Sequence, residues 1–130
     1  MCAAGAMLCA QNAASVGDGI YTAAQALGGG GLYAKDCRSC HGEKLEGREQ
    51  APPLAGAEFI MNWADATVGD LFEKMQTSMP ADQPGRLSPE QNAAVLAYIL
   101  RANKFPAGPN ALPTDGEKLR SIRFAAAKGK

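Results

Sequence analysis

The residues able to do chemistry are concentrated in Cys37-Arg38-Ser39-Cys40-His41, which contains the only histidine among the 130 residues. A C-x-x-C-H run presents two thiols for thioether bonds to the vinyl groups of a haem and, directly after them, an imidazole that can bind the iron from one face. Two tethers followed by a ligand would fix both the position and the facing of one porphyrin. Two other chemistries fit less well. Zinc needs four ligands, usually from a second C-x-x-C or a pair of histidines, and the other cysteines, Cys2 and Cys9, lie far upstream at the wrong spacing. A thioredoxin-type dithiol belongs beside a βαβ pattern, whereas the flanks of Cys37 and Cys40 read as helical and no strand pattern is evident.

An iron held this way needs a steady imidazole and something on its far face. Residues 42–56 (GEKLEGREQAPPLAG) are rich in Gly, Pro and charge and read as a loop. A metal-bound imidazole usually gives its second N–H to an acceptor that sets its orientation. Ala51-Pro52-Pro53-Leu54 is stiff enough to hold out a carbonyl for that purpose, and an ordinary turn is the other reading of these prolines. Further along, Thr67-x-x-Asp70 opens a helix in which Val68, Leu71, Phe72 and Met75 recur on one face. That spacing assigns Met75 to packing. Met79 lies beyond the stripe, directly before Pro80, in the irregular stretch 77–87 (TSMPADQPGRL). The proline biases Met79 away from helical dihedrals, which leaves its thioether free to point out of a stiffened loop toward the iron.

The elements that must position these groups are legible as helices. The ordered chain is expected to begin near Asp18, because Thr22-Ala-Ala-Gln25 reads as a capping box in which the glutamine reaches back to the cap. A helix follows to about Asp36. Gly28 to Gly31 interrupt it at about 0.8 to 1 kcal/mol each against alanine. Gly29, Tyr33 and Cys37 share one face, so Gly29 would permit a close helix crossing with Tyr33 beside it; a flexible linker with the helix starting at Leu32 is the competing reading. No Lys-Ser/Thr follows these glycines, so they are not a phosphate loop. Residues 57–65 read as a short helix with Phe59, Ile60 and Trp63 on one side. Ser88-Pro89-Glu90-Gln91 is the clearest helix start, leading a stripe of Val95, Tyr98, Ile99 and Ala102 that ends near Asn103. This last long helix is the natural partner of the Gly29 and Tyr33 face.

Bulk properties narrow the function further. The length suits one domain. Thirteen basic and thirteen acidic side chains cancel, so nothing points to nucleic acid. No apolar run approaches the ~20 residues of a membrane span. One Trp, three Tyr and four Phe are few for filling a core, and a buried porphyrin would add apolar bulk at about 25 cal/mol per Å² removed from water. Met1 to Ala14 are small and apolar and look like the tail of a secretory signal, though without its positive n-region. Leu8 stands where a lipoprotein signal would carry Gly or Ala before its cysteine, which disfavours lipidation of Cys9, and a disulfide through Cys2 or Cys9 is a further reading. Beyond Phe105, prolines and glycines lead to a short helix from Asp115 to Phe124. From Lys118 onward the tail holds five basic residues and no acidic one, as a docking surface or a solvated tail would.

With these elements placed, residues 18–103 resemble the bacterial class I mono-haem cytochromes c. The likeness rests on Gly29 and Tyr33 ahead of Cys37, the C-x-x-C-H-G run, Pro52-x-Leu-x-Gly56, Met79-Pro80 and the aromatic Tyr98 in the final helix. The resemblance implies an all-α fold of three to five helices around one covalent haem c, with crossing first and last helices. It implies attachment through Cys37 and Cys40, iron ligands His41 and Met79, a Pro52 carbonyl for the histidine N–H, and an indole at Trp63 that can reach a haem propionate. DGIYTAAQA, LYAKDCRSCHG and TSMPADQPGRLS are similar to small cytochromes that accompany periplasmic quinoprotein dehydrogenases. The implied function is a periplasmic, monomeric one-electron carrier and not an enzyme. It would take electrons from such a dehydrogenase and pass them to an oxidase or another cytochrome. Two alternatives remain at this stage: a haem-based sensor or peroxidase-like enzyme with an open iron position, and a cytochrome subunit of a larger dehydrogenase complex. Residues 1–17 would be a signal-like or disordered start and residues 104–130 an extension packed on, or trailing from, the domain.

Overall fold

Each of the three main helices starts where a side-chain oxygen takes up an N–H that the helix itself leaves unpaired. In the computed structural model, which describes residues 14–49 and 51–124, the helices are α1 (Ala23–Asp36), α2 (Arg38–His41), α3 (Ala57–Trp63), α4 (Val68–Ser78), α5 (Pro89–Ala102) and α6 (Gly116–Arg120). Val16–Asp18 forms a single 3-10 turn. No strand forms among the described residues, only isolated bridges. The all-α expectation holds. The readings made for Cys2, Cys9 and the final AAAKGK lie outside the described residues.

Thr67 and Ser88 cap α4 and α5 through full capping boxes, with Asp70 and Gln91 returning the bond. Thr22 also caps α1, accepting from the Gln25 N–H at 3.1 Å. Gln25 departs from the expected box. Its side chain does not reach back to the cap; it accepts from the Leu112 N–H at 2.8 Å and donates to the Leu112 carbonyl at 3.2 Å. Two bonds to a buried backbone unit outweigh one to a helix end that water can satisfy.

Helix α1 runs through all four glycines, so the linker reading fails. The reason is the crossing with α5: a Cβ on Gly29 would lie 1.8 Å from the Ala94 carbonyl oxygen. Only hydrogen fits there. One residue on, Gly30 faces the Tyr98 ring, which a Cβ would approach to 3.1 Å. Tyr33 and Tyr98 then pack with ring centroids 5.3 Å apart. Beneath the crossing lie Ala93, Val95, Leu96, Ala97, Ile99 and Leu100 of α5, all buried.

The α4 stripe is as read, with Val68, Leu71, Phe72 and Met75 buried. In α3 the reading needs correcting. Phe59 is buried but Ile60 is 37% exposed, because adjacent helical residues diverge by about 100° and Phe59 and Trp63, four apart, already define the inward side.

Buried structure extends past both ends of the 18–103 span. Val16 is 1% exposed, and Leu112, Leu119, Ile122 and Phe124 join the same core. Residues 121–124 thread between residues 14–16 and α4 through backbone bonds: Val16 N–H to the Arg123 carbonyl at 3.0 Å and Val68 N–H to the Ile122 carbonyl at 2.8 Å. Phe124 meets Phe59 edge-on at 5.9 Å and lies 6.3 Å from the Trp63 ring. The extension thereby backs the helix that presents Trp63.

Candidate haem site

The short helix α2 carries Arg38 to His41 directly off the end of α1. The turn is tied back by the Cys37 N–H to the Tyr33 carbonyl at 2.9 Å and the His41 N–H to the Cys37 carbonyl at 3.0 Å. Tyr33, buried among apolar neighbours, donates its hydroxyl to the Gly42 carbonyl at 2.6 Å. Burial raises that phenol's pKa well above the ordinary tyrosine value, so the group stays a donor. The backbone on either side of His41 is thus fixed by α1.

The His41 ring is fixed from the other direction. Its Nδ1 lies 2.9 Å from the Pro52 carbonyl oxygen. A carbonyl can only accept, so Nδ1 carries the proton and Nε2 keeps the lone pair. The ring is 7% exposed as a residue, and Nε2 is the atom left for a metal. Pro52 is itself held in place. Leu54 donates to the Leu45 carbonyl at 2.9 Å. Asn103, at the end of α5, donates to the Leu54 carbonyl at 2.9 Å and accepts from the Gly56 N–H at 2.9 Å. Asn103 was not singled out from sequence. Its only signal there was its place just past a helix end, where Asn is common for other reasons.

These groups open onto a cavity of about 320 Å³, within the ~300–1,000 Å³ of cofactor sites. Its wall includes Cys37, Cys40, His41, Pro52, Trp63 and Met79, so the structure brings all six sequence-derived candidates together. Leu71, Met75, Leu87, Val95 and Ile99 give it an apolar floor. Met75 is therefore both core and cavity wall, buried at 7%. Met79 follows α4 with extended backbone, φ −121° and ψ 148°, and is half-buried.

The donor set suits a haem and little else. Among the described residues no group of three or more His, Cys, Asp or Glu could hold a metal ion, so a bare zinc centre is not built here. Burial, with the Asp36 carboxylate beside it, pushes the Cys37 thiol up to about 11, the opposite of what a disulfide-exchanging thiol requires. One free imidazole nitrogen, two cysteines on the same wall and a mostly apolar floor match a tethered porphyrin.

A family model described as cytochrome c oxidase, cbb3-type, subunit III matches residues 24–99. Among curated proteins none matches the chain. Among solved structures it is similar to a chain in the crystal structure of the sulfane dehydrogenase SoxCD from Paracoccus pantotrophus. The TM-score is 0.55 and the identity 23%, over 91% of this chain and 63% of that one. The likeness bears on the fold, and this chain spans less than two thirds of the length of that one.

Proposed function

The chain belongs to the family described as cytochrome c oxidase, cbb3-type, subunit III, a cytochrome c domain whose function is haem-based electron transfer, and from that premise we propose a one-electron carrier with His/Met ligation. Cys37 and Cys40 would hold a haem c, and His41 and Met79 would supply its iron ligands. When bound, the haem supplies the redox chemistry by taking up one electron at its iron and giving it back. The residues of the chain do the rest. The Pro52 carbonyl orients His41, Met79 would offer its sulfur from its extended segment, and the apolar floor would keep water from a bound iron. With His41 and Met79 both as ligands, no position would be left for a small molecule, which separates a carrier from a sensor or peroxidase. A sulfur ligand also favours the ferrous form and raises the potential.

The observation that carries this reading is the placement of His41, with Nδ1 bonded to Pro52 and Nε2 free, on the same cavity as Met79. The proposed donor is a dehydrogenase. Support comes from the resemblance of three sequence stretches to cytochromes that accompany quinoprotein dehydrogenases, and from the shared fold with a chain of a sulfane dehydrogenase. The proposed acceptor is an oxidase or another cytochrome, at a small and transient interface. The proposed location is the periplasm, since C-x-x-C-H haem attachment is completed outside the cytoplasm in most bacteria. No helix among the described residues is long and apolar enough to cross a membrane.

Absorption spectra of the oxidised and reduced protein, with a pyridine haemochrome assay, test the reading. We expect a haemochrome typical of two thioether bonds and a far-red sulfur-to-iron band in the oxidised form, abolished in Met79→Ala together with a fall in potential. An oxidised wild-type protein without that band would refute Met79 as ligand and restore the open-site alternative.

A further inference from the structure

Met79 sits at the start of a segment that the helices do not embrace. Residues 81–86 are exposed, and the turns within them are local: Gln83 N–H to the Pro80 carbonyl at 2.9 Å and Arg86 N–H to the Gln83 carbonyl at 3.2 Å. At one end the Met79 N–H bonds the last turn of α4, 3.1 Å from the Met75 carbonyl. At the other the buried Asn92 donates weakly to the Leu87 carbonyl at 3.4 Å. Between these ends one side chain reaches over to the end of α1, where Arg86 pairs with Asp36.

That pair differs from the other ion pair among the described residues. Arg120 and Glu73 have side chains 49% and 59% exposed, whereas the Asp36 side chain is only 3% exposed with Arg86 at 36%. Asp36 is also the last residue of α1, where the helix end already carries partial negative charge and a carboxylate is disfavoured. A carboxylate kept in such a place needs a compensating cation. It adjoins Cys37, so the pair ties the segment that bears the haem attachment site to the segment that bears Met79. Asp36, Arg86, Cys37 and Met79 all line the same cavity.

We propose that Asp36 and Arg86 form a latch that holds the Met79 segment closed over the cavity and so governs how readily an outside ligand takes the second axial position of the iron. Both are positioning residues, and the inference rests on the reading of Met79 as ligand. An outside ligand can bind only in the open state, so its apparent affinity reports the open fraction. Imidazole is the suitable probe. At a pH of about 8 it is neutral, so losing a charge at the cavity mouth alters its approach little.

The experiment titrates the oxidised holoprotein with imidazole while following the far-red band, with haem content checked by pyridine haemochrome. In Arg86→Met and in Asp36→Asn the apparent affinity should rise about tenfold. The double variant should rise no further than either single one, as it must if the two residues act as a unit. Arg86→Lys, which keeps the charge, should return most of the way to wild type. Unchanged affinity in both single variants, with the wild-type band present, would overturn the latch and leave Met79 ligation standing. A double variant equal to the product of the single effects would also overturn it, showing two independent residues. A wild-type protein with no far-red band removes the ligation reading and the latch with it.

Discussion

The α1–α5 crossing and the C-terminal stretch 104–124 both press backbone against backbone at a glycine, yet they are built on different principles. At the crossing, two long helices meet at Gly29 and Ala94, with the Tyr33 and Tyr98 rings packed at a tilt alongside. Contacts repeat with the helical period, so one contact sets the distance for all the rest. In the C-terminal stretch, Gly108 abuts the Gly19 carbonyl, which a Cβ would approach to 2.0 Å, but no helical repeat carries that contact onward. The stretch is held by separate bonds: Tyr21 hydroxyl to the Phe105 carbonyl at 2.5 Å, Gly108 N–H to the Tyr21 carbonyl at 2.6 Å, and the two Gln25 bonds to Leu112. A crossing of the first kind should fail as a whole. A strap of the second kind should loosen by stages, as local opening does where contacts are dispersed.

The largest effect should come from Gly29→Ala. The added carbon would meet only backbone atoms of Ala94 and Val95 in α5, and no side chain can move away to admit it. The helices must therefore separate and give up the close packing of Tyr33, Val95 and Leu96. Overpacking of this kind costs 1–3 kcal/mol and occasionally more, and here we expect about 3 kcal/mol, read as a lowered denaturation midpoint of the holoprotein. Because Tyr33 also anchors the Gly42 carbonyl beside His41, the haem spectrum should broaden or shift in the same variant. A midpoint equal to wild type would show that the crossing has slack.

Gln25→Ala attacks the strap. It removes two hydrogen bonds and strands the N–H and carbonyl of Leu112, which is 3% exposed. Stranding buried backbone groups costs about 1–3 kcal/mol. Hydrogen exchange should rise at Leu112 and its neighbours well ahead of the α1 and α5 amides, with the haem absorption spectrum unchanged. Uniform acceleration across the whole chain would mean that the strap and the crossing open together, erasing the contrast between them.

This contrast also explains what could be read from the sequence. Cap residues such as Thr67 and Ser88 act on amides two or three positions away, so their roles follow from local spacing. The same holds for the Val68 to Met75 face and for the C-x-x-C-H run. Gly29 was legible because it shares a helical face with Tyr33 and Cys37. Gln25 was misread for the opposite reason: its partner, Leu112, lies 87 residues away, and no local rule connects them. The Asn103 bonds to Leu54 and Gly56 and the Arg86–Asp36 pair are likewise long-range. The one local hint for the latter was an aspartate at a helix C-terminus, the unfavourable end for a negative charge. Ile60 was placed inward because an apolar residue beside Phe59 and Trp63 suits a buried face, and only packing showed which of the three turns outward.

The smallest effect tests the crossing from its other side. The four glycines of α1 look equivalent in sequence, but a Cβ on Gly28 or on Gly31 would meet nothing within 4 Å. At those two positions glycine brings only its conformational freedom, which lowers helix stability by about 0.5–1 kcal/mol relative to alanine. Gly28→Ala and Gly31→Ala should therefore each raise the denaturation midpoint, by an amount opposite in sign to Gly29→Ala and several-fold smaller. Their effects should add closely, since each is a gain in intrinsic helix propensity and neither new methyl meets another group. A loss of stability at either position would mean that the run is needed open along its length, against a surface that the fold itself does not supply.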